Sequence, residues 1–134
     1  MASKISAIKA QLLTDIKTTS IQGAFEGPTV SETAYPWAEV AFGGGDIEIG
    51  MTQVVDREYR MIVRVHGLDV EQVELAIEEL TVLWHNQTLL AALRLLGVLV
   101  IYPTSHYPPF VFSGGTQLPV MGDIEFVFQV RFTP

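Results

Sequence analysis

Residues 122–132 read GDIEFVFQVRF, and their alternation decides the fold. Ile124, Phe126, Phe128, Val130 and Phe132 fall on one side, while Asp123, Glu125, Gln129 and Arg131 fall on the other. A period of two is a strand with one face against a core and one face in water. Residues 57–66 repeat the pattern: Tyr59, Met61, Val63 and Val65 oppose Glu58, Arg60, Arg64 and His66, broken only by Ile62. Half-buried strands of this kind belong to antiparallel sheets.

Between these two strands the period changes to that of a helix. Asp69 can accept from the free amides of a helix start, with Gln72 three residues on and Leu68 and Val73 placed to close a hydrophobic staple. Val70, Val73, Ile77, Leu80 and Trp84 form one apolar stripe, and Glu71, Glu74 and Glu78 stay wet. Glu71 and Glu74 also complement the positive end of the helix dipole. A second helical piece, 88–96, is apolar nearly all round and stops at Gly97. Residues 98–102 then read as a buried strand. Pro103, Pro108 and Pro109 favour a stiff extended loop, with a short strand at 110–112 before Gly114 and Gly115.

Toward the N-terminus, Ile5, Ile8, Leu12 and Ile16 recur at helical spacing behind a capping Ser3, giving an amphipathic helix over 4–18. Residues 21–34 are loop-like, with room for a short strand at 22–26. Residues 36–42 (PWAEVAF) form a strand that Gly43, Gly44 and Gly45 break, and 46–51 is a second strand or the return arm of a hairpin. No internal repeat or linker stands out. The fold class is therefore α+β: one domain over 1–134, an antiparallel sheet of about four to six strands, and the N-terminal and long central helices packed on one face.

Composition bounds the function. Of 134 residues, 49% are hydrophobic and 17% charged, which excludes disorder and points to apolar surface that an oligomer would cover. The absence of cysteine removes disulfides, thiolate metal sites and cysteine nucleophiles. The longest apolar run is far short of a bilayer span, and the N-terminus reads as a helix rather than a secretory leader, so a soluble protein is expected. Fifteen acids against eight bases give a net charge of −7, which disfavours gripping the phosphates of duplex DNA.

Chemistry has few places to hide. His66, His85 and His106 have no metal-type partner at i+2 or i+4. The glycine run is followed by Asp46 and Glu48 and lacks the Lys-Ser/Thr pair of a phosphate loop. Ser113 lacks a nucleophile elbow. The acidic pairs Asp46/Glu48 and Asp123/Glu125 each share a strand face; a cation site or an acid–base pair would use that geometry, but the solvated face of a sheet explains it more simply. Residues 102–112 read equally as a partner-docking arm or a stiff loop. No cofactor, metal or catalytic group is expected, and binding and assembly remain.

Element order and texture resemble the tail terminator proteins of long-tailed phages. The features are the amphipathic helix with Ile5 to Ile16, then Tyr35-Pro36-Trp37-Ala38-Glu39-Val40 after a glycine-containing loop, and the hairpin region 43–56. The strand 58–65, the helix start at Asp69 to Gln72, the turns at 88–96 and the alternating strand 123–132 follow in order. The proline-rich stretch 103–109 has no counterpart in that pattern, which leaves 103–119 unaligned with it. The resemblance implies a structural virion protein without enzymatic activity, made in the host cytoplasm and placed at the tail–neck junction. It would be a homohexameric ring that caps the tail-tube protein, ends its polymerisation and docks the head–tail connector or stopper, while DNA passes through the lumen unbound. On that expectation one acidic pair, Asp46/Glu48 or Asp123/Glu125, faces the lumen. The 43–56 and 103–115 segments make subunit contacts through Ile47, Ile49, Met51, Tyr107 and Phe110, flexible before assembly and ordered after it. Another neck component fits similar texture. A ligand-binding or thioesterase-like α+β dimer would need a polar group buried beside the long helix, for which His66, Asp69 and His85 are the candidates.

Overall fold

The computed structural model describes residues 3–27, 34–49, 55–111 and 120–133, with side chains at 3–27, 34–44, 55–106 and 120–133. The elements run α1 (Lys4–Ile16), β1 (Gly23–Glu26), β2 (Trp37–Ile49), β3 (Val55–Gly67), α2 (Val70–Val82), a 3-10 turn (Leu83–His85), α3 (Gln87–Leu95), β4 (Val98–Val111) and β5 (Val120–Phe132). The fold is α+β, and the five strands lie in the order β1-β2-β3-β5-β4. The alternation of 57–66 and 122–132 is realised as the two central strands, paired antiparallel over their whole length.

The sheet is mixed rather than wholly antiparallel. β1 runs parallel to β2, with Gly23 opposite Trp37 and Glu26 opposite Val40. Two expected strand ends are also absent. The glycines at 43–45 do not break β2, because Gly43 and Gly44 keep ladder partners in Arg60 and Tyr59 and a register shift between Gly44 and Ile47 absorbs the irregularity. A Cβ on Gly44 would lie 3.3 Å from the guanidinium of Arg57, which itself sits over the Tyr59 ring. Gly44 thus leaves room for an arginine, and 46–49 continues the outgoing arm of the β2–β3 hairpin. Likewise the prolines do not end β4. It is an edge strand, where a missing N–H is tolerated, and its register shifts fall at Pro103/Ser105 and across Pro108 and Pro109 between Tyr107 and Phe110. Residues 103–111 are strand, not loop, and 98–102 is half-exposed rather than buried.

The helices cover one face. Ile8, Leu12 and Ile16 of α1, Val73, Ala76, Ile77 and Leu80 of α2, and Leu93 of α3 join Met61, Val63, Val65, Ile124, Phe126, Phe128 and Val130 in one hydrophobic cluster. Trp84 meets Phe126 edge-on at 5.1 Å, and Tyr59 stacks on Phe128 at 5.4 Å. Asp69 caps α2 by accepting from the Gln72 amide at 2.7 Å, and Gln72 returns the bond by accepting from the Leu68 amide at 2.8 Å. The staple is not closed by Leu68, which is exposed. Its place is taken by Gly67, whose backbone presses on Val73 so closely that a Cβ would clash with it.

Candidate functional site

The other face of the sheet carries no helix among the described residues. Backbone register builds it in rows across β2, β3, β5 and β4. Trp37, His66, Met121 and Phe110 share one row; Glu39, Arg64, Asp123 and Tyr107 share the next. Ala41, Ile62, Glu125 and Ser105 follow, then Gly43, Arg60, Val127 and Tyr102. Glu58 faces Gln129, and Asp56 faces Glu48 on one side and Arg131 on the other. Trp37, Met121 and Val127 are buried yet lie outside the helix-covered core. What shields them is their neighbours in the sheet: Val127 stands between Arg60 and Tyr102, and Trp37 stacks on His66 with centroids 4.1 Å apart and rings 5° from parallel.

The two central strands hold an internal repeat that the sequence reading missed. Asp56-Arg57-Glu58-Tyr59 with Val63-Arg64 matches Asp123-Ile124-Glu125-Phe126 with Val130-Arg131, an Asp-x-Glu-aromatic-x-x-x-Val-Arg pattern in each strand. Because β3 and β5 are antiparallel, the Asp of each copy faces the Arg of the other. Arg131 Nε and Nη2 donate to Asp56 Oδ1 and Oδ2 at 2.8 Å each, and Arg64 Nε and Nη2 donate to Asp123 Oδ1 and Oδ2 at 2.9 and 3.0 Å. Both are two-pronged pairs, the geometry in which a guanidinium recognises a carboxylate best. A third bond, Arg60 Nη1 to Glu125 Oε1 at 3.1 Å, runs diagonally between them and has no counterpart, since Val127 occupies the equivalent position. The hydrogen bonds from Arg131 hold the Asp56 carboxyl below its ordinary value despite some desolvation, and the charge of Arg131 adds to the effect. Arg64 is pushed up, first by its bonds to Asp123, against the pull of burial, and then by the charges of Asp123 and Glu39.

Asp123 and Glu125, expected as lumen-facing acids, therefore lie on this face with arginines already engaged. Asp46 and Glu48 belong to β2, and register sets Glu48 across from Asp56. Of the expected contact residues, Ile47 and Ile49 lie in β2 and Tyr107 and Phe110 in β4. The side chains of 45–49 and 107–111, and Met51 altogether, lie outside the described residues. Register brings Glu48, Asp123 and Glu125 onto the rows of one face, while β2, with Ile47 and Ile49, and β4, with Tyr107 and Phe110, are separated by β3 and β5.

His66 is buried on the open face, its Nε2 2.6 Å from Glu39 Oε1, away from the long helix. Asp69 is spent on capping, and His85 and His106 are exposed. Among the described residues no group of three or more His, Asp or Glu is placed to hold a metal, and no helix is long and apolar enough to cross a membrane. The buried carboxylate beside the helices is one that the sequence reading passed over. Asp15 of α1 accepts from Trp84 Nε1 at 3.0 Å and from Gln11 Nε2 at 2.8 Å. Its signal was position: it stands three residues after Leu12 and seven after Ile8, on the stripe that faces the core. Comparison of the chain with protein-family models gives no match, and comparison with curated proteins gives none either.

Proposed function

We propose that this chain is a structural subunit that works by assembly: a tail terminator of a long-tailed phage. Six copies close a ring on the last ring of the tail tube, end its growth, and offer the far surface to a connector or stopper at the tail–neck junction. The open sheet face is the observation that carries this reading. It spans four long strands, shields apolar residues under ion pairs instead of a helix, and bears its charge in ordered rows. Glu39, Asp56, Glu58, Asp123 and Glu125 outnumber Arg60, Arg64 and Arg131 there, and each of those arginines is engaged by a carboxylate. Such a surface offers DNA phosphates little to bind, as the wall of a conduit requires, because affinity for duplex comes from cations free to replace counterions. The net charge of −7 works in the same direction.

The test is co-incubation with polymerising tail-tube protein of the same phage, followed by electron microscopy. The expected result is tubes of arrested length with a ring at one end. Tubes that grow on unaltered, with no density added at either end, would remove the reading.

A further inference from the structure

We propose that one copy of this chain seats the solvent face of its α2 in a cleft of the next copy, head to tail. The inference rests on the ring reading and names the contact that would close it.

The first half of the contact is α2. Its inward stripe is Val73, Ala76, Ile77 and Leu80. Its outward side carries a second stripe, Glu71, Leu75, Glu78 and Val82, at i, i+4, i+7 and i+11, which keeps all four residues on one side of the helix. Leu75 is 52% exposed and Val82 is 54% exposed, and Glu74 lies beside them. Glu71, Glu74 and Glu78 form no ion pair with any described residue. Single exposed apolar side chains need no explanation, but two in register between acids form a surface with a defined chemical complement.

That complement exists at another place on the same chain. Where the start of α1, the end of α3, the start of β4 and the end of β5 meet, Lys4, Arg94, Gly97, Val98, Leu99, Arg131 and Thr133 line a cleft of about 420 Å³. Its apolar floor is Val98 and Leu99, and the largely exposed Leu95 stands next to Arg94. Gly97, with φ of +103°, lets Lys4 cross the backbone, where any Cβ would strike the lysine chain. Lys4 Nζ donates to the Arg131 carbonyl at 2.6 Å and keeps further protons to give. Arg131 is neutralised by Asp56, but Lys4 and Arg94 meet no carboxylate among the described residues. Lys4 and Arg94, neither paired with a carboxylate among the described residues, stand beside apolar Val98 and Leu99 in a chain of net charge −7, and match an apolar stripe flanked by three carboxylates. The two surfaces differ, so the contact is heterologous, the type that repeats around a closed ring.

The experiment uses two full-length variants. One reverses the stripe (Glu71→Lys, Glu74→Lys, Glu78→Lys), and the other reverses the cleft (Lys4→Glu, Arg94→Glu). Each alone sets like charge against like and should need about a hundredfold higher concentration to assemble, read by light scattering. Mixed in equal amounts, each variant's stripe meets the other's cleft, and alternating rings should form within about threefold of the wild-type concentration. All five changes in one chain should assemble by itself, which covers the case in which one variant folds poorly. Wild-type rings that persist unchanged in both variants would overturn the contact while leaving the ring reading standing. Loss in both variants with no recovery on mixing, nor in the five-change chain, would also overturn it. A wild-type chain that stays monomeric at every concentration, with or without tubes, would overturn both.

Discussion

The two tryptophans show how differently the two sides of one sheet are built. Trp84 packs in the helix-covered core with its indole N–H bonded to the buried carboxylate of Asp15. Trp37 is equally buried, but on the open face, stacked on His66 with its N–H unpaired among the described residues. On the covered side, burial comes from a second layer of structure, and polar atoms trapped there are paired because leaving them bare is costly. On the open side, burial comes from neighbours within the sheet, whose long side chains can shift. The covered side holds the fold, and among the described residues no second layer lies on the open side.

The sharpest way to break this contrast is to truncate neighbours that point to opposite sides. Phe126→Ala, in the core, should cost about 3–5 kcal/mol in urea unfolding, whereas Val127→Ala should cost about 1 kcal/mol or less as Arg60 and Tyr102 close over the gap. Equal costs would erase the distinction. Trp84→Phe removes a donor from buried Asp15 and should lose about 1–3 kcal/mol, while Trp37→Phe, which removes an unpaired N–H, should change stability by less than about 1 kcal/mol. A smaller effect is expected from the cross-strand pairs. A double-mutant cycle on Arg64 and Asp123 should give about 0.2–1 kcal/mol, falling with added salt, because the Arg64 half of the pair is exposed to solvent. The smallest effect is at Asp56. Its pKa is lowered in the fold, so its contribution is present above the unfolded carboxylate value of about 3.9 and is lost as pH falls through the folded value. Asp56→Asn should lower stability slightly at neutral pH, leave it unchanged below the folded value, and so flatten that part of the acid unfolding curve.

Much of the covered side was legible in the sequence. The alternation of 57–66 and 122–132, the Asp69 cap, the stripe of α1 and the stop at Gly97 all follow from local spacing, and the structure holds each of them. The misreadings share a cause, since each element was judged by its own residues when its partner decided. Gly43 and Gly44 stay in β2 because β3 supplies their ladder, and Pro103 stays in β4 because an edge strand can spare its N–H. The parallel entry of β1 leaves no mark in four residues, GAFE. The repeat of Asp-x-Glu-aromatic-x-x-x-Val-Arg was visible in the letters, but its meaning needs the antiparallel register that sets Asp56 on Arg131 and Asp123 on Arg64. Of the expected site residues, Asp123 and Glu125 fall on one open face, as their two-residue spacing implied, but the arginines that hold them come from a strand more than fifty residues away.

The most direct test of the account is the solution mass of the purified chain, by light scattering across a tenfold range of concentration and two salt levels. A ring-forming tail terminator gives a closed hexamer, or a monomer that converts to one on tail tubes. A dimer whose mass ignores concentration and salt, and which has no affinity for tubes, would contradict it.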